Sequence, residues 1–303
     1  MELTGVYVPV VTPFDASGRV DSGRLEKVIE SQLRAGVRGF VACGTTGEAY
    51  ALSLEERRAV TARIKEIVDG AVPILGGVGG MSTDQALDHA LLAKALELDG
   101  LMVAAPAYCL PTDAELATHV TSVVKAAGLP TVLYDYPQRT GVSFSTDVLD
   151  RLAPDPLIIG IKEASGDLER IPTLLQRYAG SIEVVCGADA GAPSFFEAGV
   201  RCWIGGIANL LPAAHVAIFD SDSLNPDALD PDRRTHAFAA VVPVLQFIEA
   251  GRYISKIKTG MAMLGLDVGA PRAPLAALDT DSSHALSILL EDAGSWAPAL
   301  NAS

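Results

Sequence analysis

The sequence predicts an α/β chain: a (β/α)8 TIM barrel followed by a helical C-terminal extension. Three observations lead there. Short apolar runs rich in Val and Ile recur eight times, most of them ending in Gly, Pro, Thr or Asp. Stretches with helical periodicity lie between them. The eight units fit into roughly 220 residues, which suits a closed barrel better than an open sheet. Strands that are apolar throughout and alternate with helices indicate a parallel sheet covered on its faces.

The eight runs are GVYVPVVT (5–12), GFVACGT (39–45), PILGGVG (73–79), GLMVAAP (100–106), PTVLYDYP (130–137), LIIGIKEA (157–164), IEVVCGAD (182–189) and CWIGGIAN (202–209). SGRLEKVIESQLRAG (22–36) and SLEERRAVTARIKEIVDG (53–70) are the clearest helices. Each opens with Ser and closes at Gly, as helix caps should. After the eighth run the polar segment SDSLNPDALDPDRR (221–234) leads into further helical pattern from 235 to about 295. The expected division is a barrel over 1–224 and a helical region over 225–303 packed on it.

Bulk properties narrow the function. The chain has 303 residues, 49% hydrophobic and 20% charged, which is a globular composition with a large core. A net charge of −14 argues against nucleic acid or an anionic membrane as partner, since both want a basic face. No apolar run approaches the ~20 residues of a membrane helix. The N-terminus MELTGVYVPVVTPFD lacks the basic region of a secretory signal and meets Pro and Asp early, so a cytoplasmic location is expected. Cys43, Cys109, Cys186 and Cys202 are far apart without a CxxC pair, which favours reduced thiols. The five histidines have no metal-ligand spacing, so no metal is expected.

Active sites of such barrels sit at the C-terminal ends of the strands. The second strand ends in CGTTGE (43–48). As a plain turn, Gly47 supplies backbone freedom and the threonines satisfy loose N–H groups. At a catalytic rim Thr45 and Thr46 can instead bind a carboxylate or pass protons. The third ends in GGVGGMS (76–82), which is not GxGxxG. Close backbone approach and a helix start account for it. The fourth, APAYCLP, exposes Tyr108 between two prolines, either as amphipathic packing or with a functional role.

The fifth strand is TVLYDYPQRTG (131–141). Alternation puts Val132, Tyr134 and Tyr136 on one face, Leu133 and Asp135 on the other. Arg139 follows, either as a surface charge or as a fork for a carboxylate. On the sixth strand, alternation puts Ile158, Gly160 and Lys162 inside, with Ile159 and Ile161 under the helices and Glu163 pointing away. Gly160 is expected to leave room for the lysine stem. Lys162 could snorkel to water. Buried instead, its pKa falls from about 10.4. A neutral amine attacks carbonyls and forms Schiff bases. Lys162, Tyr134, the threonines and Arg139 together make a class I aldolase-like site. The lysine forms an imine with a 2-oxo acid, the adjacent methyl loses a proton, and Tyr134 carries it.

At these residues the chain resembles the dihydrodipicolinate synthase / N-acetylneuraminate lyase superfamily of pyruvate-dependent Schiff-base enzymes. The resemblance covers nearly the whole chain: VTPF near the N-terminus, GTTGE at 44–48, Y-x-x-P at 134–137, RTG at 139–141 and GIKEASGD at 160–167. It implies a barrel with C-terminal helices and a homotetramer built as a dimer of dimers. It implies Lys162 as the Schiff-base lysine and Tyr134 as general acid/base. One of Thr45 and Thr46 would relay protons, and both would lie near the pyruvate carboxylate. Tyr108 would reach across a tight dimer interface to complete a Tyr–Thr–Tyr hydroxyl chain. Ile207 would turn its backbone to the pyruvate site, and Gly187 would line the substrate side. No cofactor is implied beyond the covalent imine.

Arg139 matches the arginine that holds the carboxylate of aspartate semialdehyde, so dihydrodipicolinate synthase is the nearest branch, with a place in lysine biosynthesis. Two departures are Ala107, where synthases carry a further tyrosine, and AGRYISKIKTG (250–260), where they carry an NPIPVK-like segment. A pyruvate aldolase or dehydratase of 2-oxo-3-deoxy sugar acids or N-acetylneuraminate-type substrates therefore stays open. So does a non-catalytic 2-oxo-acid-binding regulatory protein.

Overall fold

The apolar runs form eight parallel strands that pair in chain order, and the last returns to the first. The computed structural model describes residues 1–219 and 231–297. The strands are β1 (Gly5–Pro9), β2 (Gly39–Ala42), β3 (Ile74–Val78), β4 (Gly100–Ala104), β5 (Thr131–Asp135), β6 (Ile158–Glu163), β7 (Glu183–Cys186) and β8 (Cys202–Ile204). Each is shorter than its apolar run. The run 202–209 shows why: three residues pair, and Gly206–Asn209 then coil into a 3-10 turn.

The helices are α1 (Ser22–Arg34), α2 (Leu54–Val68), α3 (Thr83–Ala95), α4 (Asp113–Ala127), α5 (Pro137–Thr140), α6 (Thr146–Leu152), α7 (Arg170–Arg177), α8 (Ala192–Glu197), α9 (Pro212–Phe219), α10 (Pro231–Glu249), α11 (Tyr253–Met263) and α12 (Thr280–Ala293). Ser53 caps α2 in a reciprocal pair with Glu56. The cap of α1 is Asp21, not Ser22: its carboxylate accepts from Arg24 N at 3.0 Å, and Ser22 is already helical. A carboxylate at this position also meets the positive end of the helix dipole.

Side chains sort into two clusters, as alternation requires. Leu3, Tyr7, Val41, Leu75, Met102, Val132, Tyr134, Val185, Cys202 and Ile204 fill the barrel interior. A larger cluster lies between the strands and the helices. β6 breaks simple alternation. Its register against β5 jumps from Thr131↔Ile158 to Val132↔Gly160. This bulge sends Ile158 into the outer cluster and leaves Ile159 against the inner one, so Ile158 does not share a face with Gly160 and Lys162.

The expected boundary at 224/225 falls outside the described residues. Beyond it, α11 and the chain after it tie into the strand ends. Lys258 Nζ donates to Thr12 O at 2.8 Å, and Arg272 N donates to Glu48 Oε2 at 2.8 Å.

Candidate active site

Lys162 and Tyr134 are register partners on β6 and β5, and both face the barrel interior near its C-terminal mouth. The lysine is 5% exposed, and its Nζ lies 4.3 Å from the centroid of the Tyr134 ring. Burial drives its pKa down to about 8, and the negative charge of Asp189 opposes that drop. Burial pushes the Tyr134 phenol up, with Tyr136 adding to the rise, so it stands as a proton donor. The Thr45 side chain lies within hydrogen-bonding reach of that hydroxyl.

The space for the lysine stem has an unexpected source. A Cβ on Gly187 would stand 2.9 Å from Lys162 Cγ and 2.6 Å from Glu163 O. A Cβ on Gly160 would instead meet Leu3 at 2.6 Å. Gly187, on the neighbouring chain segment after β7, is therefore the glycine that makes room. Gly160 makes room for the floor of the barrel.

Beside Tyr134 the rings continue outward. The Tyr134 and Tyr136 centroids are 5.9 Å apart, and the Arg139 guanidinium lies 5.5 Å from the Tyr136 ring. Arg139 sits exposed on the short turn α5, where it can meet an incoming anion. The threonine loop is held from below. Glu48 has a left-handed backbone (φ 55) and donates its N–H to Thr45 O at 3.1 Å. Its buried carboxylate pairs with Lys258 Nζ at 2.5 Å. Gly47, expected to supply backbone freedom, has no positive φ. It is glycine because a Cβ would stand 2.7 Å from Val10 O.

Asp189 is a site residue the sequence reading missed. Its carboxylate is buried and accepts from Trp203 Nε1 and the Tyr253 hydroxyl, both at 3.0 Å, and from Ile207 N at 3.3 Å. A polar residue closing the seventh apolar run was the available signal. Ile207 spends its N–H on Asp189, and its carbonyl accepts from Leu210 N and Leu211 N. Thr46 is buried in the same loop as Thr45. Tyr108 stands apart: it is 90% exposed, with a left-handed backbone (φ 73), and joins none of these groups within one chain. Among the described residues no cluster of His, Cys, Asp or Glu is placed to hold a metal ion. No described helix is long and apolar enough to cross a membrane.

A closed parallel barrel with a depressed-pKa lysine against a tyrosine at its mouth has the build of a Schiff-base barrel. Sequence and structure comparisons narrow the class. The model of the dihydrodipicolinate synthetase family matches residues 2–293, and the chain belongs to that family. The chain is 31% identical over 288 residues to the 4-hydroxy-tetrahydrodipicolinate synthase of Geobacter metallireducens, covering 95% of this chain and 98% of the relative. The corresponding enzyme of Magnetococcus marinus is 34% identical over 274 residues, covering 90% and 92%. Among solved structures, the chloride-inhibited dihydrodipicolinate synthase of Acinetobacter baumannii, complexed with pyruvate, superposes with a TM-score of 0.91 at 32% identity. That match covers 97% of this chain and 99% of the other.

Proposed function

We propose that the chain is a Schiff-base lyase of the kind its relatives are named for, a 4-hydroxy-tetrahydrodipicolinate synthase that condenses pyruvate with aspartate semialdehyde. The observation that carries the reading is the buried Lys162 amine, with a pKa near 8, against the Tyr134 ring. The neutral amine attacks C2 of pyruvate, and loss of water leaves an imine. A proton then leaves the adjacent methyl, the electron pair moves into the imine, and an enamine results. The enamine carbon attacks the aldehyde carbon, the aldehyde oxygen takes a proton, and the imine to Lys162 forms again. The amine of the second substrate then attacks the imine carbon, the ring closes, and the lysine amine leaves. Tyr134, in reach of Thr45, moves these protons. Thr45 and Thr46 receive the pyruvate carboxylate, with Gly187 and Ile207 as the opposite wall. Arg139, exposed beside Tyr136, receives the carboxylate of the second substrate. The covalent imine is the only activation this route needs.

The reading extends to a homotetramer in the cytoplasm. Tyr108 at 90% and Leu110 at 61% exposure, both with positive φ, form an apolar loop tip suited to cover by a second copy. Four unpaired cysteines suit a reducing compartment.

The test is borohydride reduction in the presence of pyruvate, followed by mass spectrometry. One reduced pyruvyl group on the Lys162 peptide is expected, and an unchanged mass overturns the proposal. Turnover of the trapped-competent enzyme with aspartate semialdehyde, glyceraldehyde and N-acetylmannosamine then tests the second substrate. Preference for either sugar aldehyde overturns the synthase assignment within the class.

A further inference from the structure

A second buried charge cluster lies directly behind the site. Asp135 and Glu163 follow Tyr134 and Lys162 by one residue, so they face the helices rather than the barrel interior. They are register partners in their turn. Two buried carboxylates need a cation, and both take the same one. Arg170 Nη1, at the start of α7, lies 2.7 Å from Asp135 Oδ2 and 2.8 Å from Glu163 Oε2. Arg170 Nη2 donates to Phe144 O at 2.8 Å. Ser143 Oγ donates to Asp135 Oδ2 and Ser165 N donates to Glu163 Oε1, each at 2.6 Å.

One guanidinium thus joins three segments: the end of β5, the end of β6 and the chain that follows the Arg139 turn. The arrangement is costly. Two carboxylates face one guanidinium, and neither Asp135 Oδ1 nor Glu163 Oε2 has a hydrogen-bond donor among the described residues, so Arg170 meets Glu163 as an ion pair alone. Apolar side chains of similar size would close the same sheet at lower cost. What they would not do is tie one strand end and a loop by directional bonds, and the adjacent strand end by an ion pair, through one planar group.

We propose that Arg170 is a positioning residue for the reaction. Through Asp135 and Glu163 it holds Tyr134 and Lys162 at their working separation, and through Phe144 it pins the turn that carries Arg139. The inference rests on the Schiff-base reading, so borohydride trapping of pyruvate by the wild type is the first arm. If the wild type does not trap, that reading fails and the role of Arg170 falls with it. If it traps, the variants decide.

Arg170→Lys keeps a charge but offers a point donor in place of a fork. Its kcat per folded molecule is expected to fall at least about tenfold, with the pyruvate KM within about threefold, as misplacement of reacting groups does. Asp135→Ala should behave alike. Asp135→Asn, whose amide oxygen still accepts from the guanidinium, should recover at least about a third of wild-type kcat. Should Arg170→Lys fail to fold, the Asp135→Ala and Asp135→Asn pair decides alone. Wild-type kcat in folded Arg170→Lys or in Asp135→Ala overturns the proposal, as does an Asp135→Asn no better than Asp135→Ala. Each would reduce the cluster to a structural tie.

Discussion

The pH dependence of imine formation follows directly from the burial of Lys162. An ordinary lysine amine titrates near 10.5, and burial brings this one to about 8. At pH 7 that raises the neutral fraction from roughly one amine in three thousand to about one in eleven. The gain is about 300-fold in nucleophile, or about 3 kcal/mol. The assay is the initial rate of pyruvate adduct formation, quenched with borohydride, at fixed pyruvate from about pH 6 to about pH 10. The rate should climb about tenfold per pH unit at first and level off a little above pH 8. Asp189→Asn removes the charge that holds the pKa up, so its midpoint should move to lower pH. A wild-type rate still climbing tenfold per unit beyond about pH 9 would refute the burial argument. So would an Asp189→Asn midpoint that moves upward.

Four further outcomes are expected. Because the folded pKa of Lys162 lies below its unfolded value, the unfolded chain binds an extra proton between about pH 8 and 10.5, and stability rises with pH across that window. Relative to Lys162→Met, the wild type should gain up to about 3 kcal/mol there in urea titrations; a constant difference would sink this. Gly187→Ala drives a Cβ into Glu163 O and the lysine stem, so it should cost ~1–3 kcal/mol and slow adduct formation, whereas normal trapping would reject the packing account. Lys258→Met leaves Glu48 buried without its cation and should cost ~3–5 kcal/mol in thermal melts, a loss below about 1 kcal/mol counting against it. Arg139→Ala should raise the KM for the aldehyde at least about tenfold while sparing pyruvate trapping, and equal damage to both steps would contradict its role.

What the sequence made legible is what depends on near neighbours. Apolar runs located every strand, and period-two alternation turned Lys162 and Tyr134 inward because each sits past the bulge, where pairing is regular. Alternation failed at Ile158, since a bulge is a property of two strands and leaves no mark in one. The same limit explains the glycines. Room for the lysine stem was sought on its own strand at Gly160, but it comes from Gly187 on the adjacent segment. Asp189 was within reach of the rule that polar strand ends make sites. Arg170 and Lys258 were not, because helix residues acquire a meaning only when the fold brings them to Glu163 and Glu48.

The two charge systems also bear on each other. Lys162 can keep a low pKa only if nearby carboxylates do not stabilise its ammonium form. Two of them stand one residue from the reacting pair. Yet the groups that pull the Lys162 pKa back up are Asp189, Cys186 and Cys202, and neither Asp135 nor Glu163 is among them. Both carboxylates lie across the sheet from the amine, and Arg170 lies against them there. The sheet thus separates a desolvated amine inside from an ionic cluster of two carboxylates and one guanidinium outside. Because neither carboxylate acts on the amine from there, a variant that loses the guanidinium should disturb the position of Lys162 and leave its pKa in place. In Arg170→Lys the midpoint near pH 8 should therefore hold while kcat falls, and a midpoint that moves would show the cluster acting through charge rather than position.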